Sequence, residues 1–253
     1  MTRKFFLVLS IWLLIMLFQP NSTNAEKNII DNRLLLDTLV TLLNPYISGS
    51  LEHYYGYHKS YGLHDIKILD ISREEKSEFS FTVKIQVNTF DEAHNPPYGK
   101  ETIILEVDVD KVRVIKFIHE GDVWERKITD FYNEAISDIL QSFKLNLTSF
   151  NKLNYEQLMF KSEKQMEYKS LSDIVTEIID DELTTEINTP YNPYKNVIAP
   201  VTFIKGHQGY ILFKKADGTN IVIEVFKLND KWVVVNKESK QGMKMKYDLL
   251  WYM

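Results

Sequence analysis

An α+β fold is predicted, with two domains that each lay one or two helices on a four-stranded antiparallel meander. Three observations predict it. Strand-like segments come in two groups of four, and those over 79–87 and 101–109 alternate apolar with polar residues. Connections within each group are too short for a helical crossover, which makes neighbouring strands antiparallel. Each group is preceded by amphipathic helical sequence, the nearest element able to cover an apolar sheet face.

The chain opens with a targeting segment. Arg3 and Lys4 precede a continuous apolar run over residues 5–18, and a polar stretch then ends in Thr23 and Ala25, small residues at the positions a signal peptidase reads. The run is shorter than the ~20 residues of a membrane span. A cleaved signal peptide over residues 1–25 is therefore expected, with an uncleaved anchor as the alternative. Without Arg3 and Lys4 the 30 basic residues become 28 against 35 acidic ones, a net −7. That charge disfavours nucleic acid and anionic lipid as partners, and membrane contact is expected only transiently, through the signal peptide. With no cysteine, disulfides, thiolate catalysis and cysteine-based metal sites are excluded.

In chain order, Leu34, Leu35, Thr38, Leu39, Leu42 and Leu43 recur at helical spacing after the capping candidates Asp31 and Asn32. Pro45 should interrupt this helix and open a second piece carrying Ile47, Leu51, Tyr54 and Tyr55. Strands follow at 66–72, 79–87, 101–109 and 112–119. The second of these is strict: Phe79, Phe81, Val83, Ile85 and Val87 alternate with polar residues. Residues 95–99, Asn-Pro-Pro-Tyr-Gly, read as a loop. A helix with Ile128, Phe131, Tyr132, Ala135, Ile136, Ile139, Leu140 and Phe143 on one stripe completes a first domain over residues 26–143.

Residues 144–153 read as a linker, and residues 154–253 as the second domain. Asn154 and Ser170 are candidate caps for helices over 155–168 and 171–183. Thr189, Pro190 and Pro193 mark a rigid turn. The second meander uses strands near 201–205, 210–214, 221–226 and 232–236, with a last segment over 243–253 of undecided type.

The first half carries a resemblance. His53-Tyr54-Tyr55-Gly56, the strand from Phe79 to Val83 and the run Ala93-His94-Asn95-Pro96-Pro97-Tyr98-Gly99 resemble the family catalogued as domain of unknown function 3888. The likeness covers residues 34–119. It implies a secreted protein of Gram-positive spore-formers and brings no catalytic residues. The architecture is similar to the nuclear-transport-factor-like or cystatin-like class.

Candidate sites are few. There is no Gly-x-Ser-x-Gly elbow, no phosphate-binding glycine loop and no dinucleotide fingerprint, so no catalytic residue is nominated. His53 and His58 are five apart, off the spacing that sets two ligands on one helical face, and no metal or cofactor is expected. Tyrosines are dense around the end of the first helix, where aromatics with polar tips suit a binding cleft as well as a packing layer. If the loop carrying His94 and Tyr98 folds over Tyr54, Tyr55 and His58, those five residues form a pocket rim. The expected function is a secreted or envelope-associated, non-enzymatic module that binds a protein or cell-envelope ligand. A hydrolase or small-ligand enzyme with a helix–sheet pocket and a structural surface or spore-associated protein are the alternatives.

Overall fold

The structure is a computed structural model that describes residues 32–73, 75, 79–91, 94–183, 196–215 and 217–244. The expected signal segment, the expected turn at 189–194 and the last segment from 245 lie outside them. Two compact units divide the chain, one ending at Thr38 and the other spanning Leu39–Met253.

The first helix, α1 (Asn32–Tyr55), is one continuous element with Pro45 inside it, where two pieces were expected. Proline removes one helical hydrogen bond. The helix persists because Leu43, Ile47 and Leu51, on both sides of the proline, bury against one sheet. α1 is also long and apolar enough to cross a membrane by length and composition. Past Thr38, however, its buried side chains pack on protein.

That sheet contains β1 (Ser60–Tyr61), β2 (Lys67–Ser72), β3 (Phe81–Asp91), β4 (Asn95–Val107) and β5 (Val112–Gly121). β2, β3, β4 and β5 form the expected antiparallel meander, and β1 pairs with the far end of β3. Cross-strand partners Val83–Leu105, Ile85–Ile103 and Val87–Glu101 place one row under α1. The core there is Leu43, Ile47, Leu51, Val83, Ile85, Val87, Ile103 and Leu105.

Residues 95–99 are not a loop; they begin β4. Thr89 pairs with Gly99 and Asp91 with Asn95, so Pro96, Pro97 and Tyr98 stand opposite a single residue, Phe90. Proline lacks a ladder donor and is tolerated at such a bulge. The chain reverses at His94, whose φ of 63° is left-handed.

The long helix α2 (Val123–Phe143) is capped by Asp122, whose carboxylate accepts from the backbone N–H groups of Trp124 and Glu125 at 3.0 and 2.8 Å. It was expected to close the first half, but its stripe packs elsewhere. Phe131, Ala135, Ile136 and Ile139 meet Ile198, Val201, Phe203, Leu212 and Val222 of the second sheet. Residues 144–153 are not a free linker either. Leu147 is buried in that core, and β6 (Asn151–Leu153) pairs with β7 (Asn196–Lys205).

The second sheet runs β10 (Lys231–Gln241), β9 (Thr219–Leu228), β8 (Gln208–Lys215), β7, β6. Its other face is covered by α3 (Tyr155–Lys164) and α4 (Lys169–Ile178), through Leu158, Leu171, Val175 and Ile178 against Ile211, Phe213, Ile223 and Val225. Both faces of β8 and β9 are thus buried. Their apolar runs, Tyr210–Phe213 and Ile221–Val225, are near-continuous for that reason, where one wet face was expected. Asn154 caps α3 in a full capping box with Gln157. Ser170 does not cap; its hydroxyl accepts from the Trp232 backbone N–H at 2.8 Å.

A buried charge pins α2 to this sheet. Lys214, fully buried, donates to Asp138 on α2 and to the Asn220 side-chain oxygen at 2.8 Å. Asn220 Nδ2 and the Met243 backbone N–H also donate to Asp138, at 2.8 and 3.0 Å. Burial raises the Asp138 pKa, but Lys214, Asn220 and Met243 outweigh it and hold the carboxyl below its ordinary value.

Candidate functional site

At the C-terminal end of α1 the row of core positions turns polar. Following the sheet from Val83, Leu105 and Val112, the row ends in Thr89, Glu101 and His119. Glu101 has no solvent exposure. A buried carboxylate must be paired or fully hydrogen-bonded, and this one is. The Tyr55 hydroxyl donates to Glu101 Oε1 at 2.6 Å, the Thr89 hydroxyl at 3.1 Å, and His119 Nδ1–H lies 3.0 Å from both oxygens. On its far side His119 Nε2 donates to Glu125, in the first turn of α2, at 2.9 Å. Burial lowers the His119 pKa, yet hydrogen bonds and charge from Glu101 and Glu125 outweigh it, and the pKa is raised. Both ring nitrogens face carboxylate oxygens, which favours the protonated ring.

Tyr55 follows the same logic. Burial and the bond to Glu101 push its hydroxyl well above the ordinary tyrosine value. Gly99 makes the cluster possible, because a Cβ there would lie 2.3 Å from Glu101 Oε1 and 2.4 Å from Thr89 Oγ1.

Beside this cluster lies an open groove of about 520 Å3. One wall is α1, through Pro45, Tyr46, Gly49, Ser50, His53 and Tyr54; the other is β5, through Val114, Phe117 and His119. The helix residues recur at helical spacing and share one face. The strand residues share a face because β5 carries a bulge. Leu105 pairs with Val114 and Ile104 with Lys116, so Ile115 is the extra residue that brings Val114 and Phe117 to the same side. Tyr54 packs on Phe117 and His119, each ring centroid 4.9 Å away, and remains half-exposed. Gly49 meets nothing within 4 Å of a built Cβ, so the helical wall is hollow there.

The five residues nominated from sequence part company here. Tyr54 lines the groove and Tyr55 belongs to the buried cluster. His58 sits on the opposite flank, 2.7 Å from Glu52 and edge-on to Phe160. His94 stacks on Phe90 at 4.0 Å, and the Tyr98 hydroxyl donates to the His94 carbonyl at 2.7 Å, so these two engage each other. Of the Asn95–Gly99 run it is Gly99, without a side chain, that meets Tyr55. Sequence reasoning missed Glu101, His119 and Glu125. One signal was legible: Glu101 shares the parity of Ile103, Leu105 and Val107, so a charge stands on the core face. Among the described residues no three His, Asp or Glu side chains are grouped to hold a metal.

The class defined by this fold and site is an α+β protein with antiparallel sheets and an aromatic groove between a helix and an edge strand. Residues 35–121 match the model of a family described as protein of unknown function (DUF3888). The match begins in α1 and ends with β5, so it covers the first sheet, its helix and both walls of the groove; the remainder of the chain matches no family model. No curated protein and no solved structure matches the chain.

Proposed function

We propose that this is an exported, envelope-associated or secreted Gram-positive protein that acts as a non-enzymatic binding module. Its recognition site is the groove between α1 and β5. In architecture it is of the nuclear-transport-factor-like or cystatin-like kind, a helix laid across an antiparallel sheet. The observation that carries the reading is the groove itself. It has the volume and the apolar and aromatic lining of a ligand site, with His119 at one end. Gly49 adds to it. A mid-helix glycine costs about 1 kcal/mol relative to alanine, and here its missing side chain leaves the groove open.

A neutral apolar fluorophore, phenylnaphthylamine, tests this. It should bind the folded protein saturably, and Gly49→Leu, whose Cβ enters open space and whose side chain occupies the hollow, should weaken binding about ten-fold with the fold intact. Equal binding by both proteins would remove the groove from consideration. Export is tested by intact mass: the released form should begin at Glu26, and a full-length chain held in membranes would contradict it.

One observation favours an acid–base enzyme in the same groove, namely the raised pKa of His119 at its end. Both His119 nitrogens are hydrogen-bonded to carboxylates, however, and neither is free to move a proton to a ligand. The binding reading is preferred on that ground.

A further inference from the structure

The strand that walls the groove is also the edge of its sheet. β5 pairs with β4 on one side and, among the described residues, with no strand on the other. An edge strand presents outward N–H and C=O groups that another chain can pair with. Here that edge borders a groove which accepts side chains from the same direction. Val114, Ile115 and Ile118 are all exposed along it.

Resting on the binding reading above, we infer that the groove recognises an extended peptide that adds to β5 as a further strand, with its apolar side chains seated against Gly49, Val114 and Phe117 and an acidic side chain on the other face. Alternate residues of a strand point to one face and recur about every 7 Å. Every second peptide side chain would therefore enter the groove, and the residues between would stand over the outer face of β5.

Charge on that outer face selects the sign. Arg113 is neutralised by Glu106, and Glu120 pairs with Lys100 at 2.6 Å. The ammonium of Lys116, exposed between them, makes no ion pair or hydrogen bond among the described residues. An acidic peptide residue set opposite Lys116 would complete the row. Main-chain bonds would supply affinity, and the groove and Lys116 would supply the preference, as in strand-addition recognition generally.

The probe is a capped peptide of alternating leucine and glutamate, labelled for fluorescence anisotropy and titrated with the full mature chain at physiological salt. Three results are expected. Methylating the backbone amides that face β5 weakens binding about ten-fold. Gly49→Leu weakens it by a similar factor while circular dichroism stays unchanged. Lys116→Glu weakens it about five-fold and shifts preference toward a leucine–lysine peptide. Strand addition is overturned if the methylated peptide binds within about two-fold of the parent. The acidic preference is overturned if the leucine–lysine peptide binds the natural protein as tightly. Failure of the parent peptide while phenylnaphthylamine still enters the groove defeats this inference and leaves the groove reading standing; failure of both probes defeats both.

Discussion

Replacing Glu101 is the sharpest test of how the site is held together. The carboxylate is fully buried and accepts from Tyr55, Thr89 and His119. In Glu101→Ala all three donors lose their acceptor. Hydrogen bonds to a charged group are worth about 1.5–3 kcal/mol each, but the full sum is not lost. His119 can shed its proton, and water can enter the space vacated beside Tyr55. The expected cost is about 3–5 kcal/mol, the range for breaking one partner of a buried ion pair. With a urea m-value of about 3 kcal/mol/M, the unfolding midpoint falls by about 1–1.7 M.

Glu101→Gln separates charge from shape. Its oxygen can still serve Tyr55 and Thr89, but its NH2 group faces His119 Nδ1, so the cost is about 1.5–3 kcal/mol. The two variants also differ from the natural protein in pH dependence. Tyr54 and Tyr55 also face His119, and although burial disfavours its charge, the carboxylates of Glu101 and Glu125 outweigh that, so it binds its proton more tightly when folded. Its contribution is therefore complete below the unfolded pKa of 6.5 and is lost as pH rises through the raised folded value. Urea unfolding across this range should show that loss in the natural protein and a flatter profile in Glu101→Gln. The reasoning fails if Glu101→Ala costs less than about 1 kcal/mol, or if Glu101→Gln costs as much as Glu101→Ala.

Two glycines should respond in opposite directions to alanine. Gly49→Ala places a methyl in open space within a helix and should stabilise by about 1 kcal/mol, whereas Gly99→Ala drives a methyl into Glu101 and Thr89 and should cost about 1–3 kcal/mol; thermal unfolding of the pair checks this. Asp138→Ala leaves the fully buried Lys214 without its anion and should cost about 3–5 kcal/mol in the same assay. Because the Asp138 pKa is lowered on folding, its contribution is present above the unfolded value of 3.8 and is lost as pH falls through the lower folded one. Acid unfolding of Asp138→Asn should accordingly begin from a lower baseline and be less steep. Ile139→Ala, at a fully buried position of α2, should cost about 2–5 kcal/mol.

Local pattern determined much of this protein. The period-two strands β3 and β4, the apolar stripe of α2 and the Asn154 capping signal were all legible, since each depends on residues a few positions apart. The absence of thiol chemistry was equally fixed by composition, and the family likeness by the run from His53 to Gly99. Tertiary structure alone decided what those elements meet. Pro45 lies inside a helix because flanking leucine and isoleucine side chains are buried on one sheet. Pro96 and Pro97 enter a strand because a bulge excuses their missing donors. α2 covers the second sheet, although the first precedes it in the chain, because β8 and β9 have a second apolar face to bury. His119 reaches Glu101 only because the bulge at Ile115 shifts the side-chain parity of β5, and long-range register of that kind is set by pairing between strands, which no local stretch of sequence encodes.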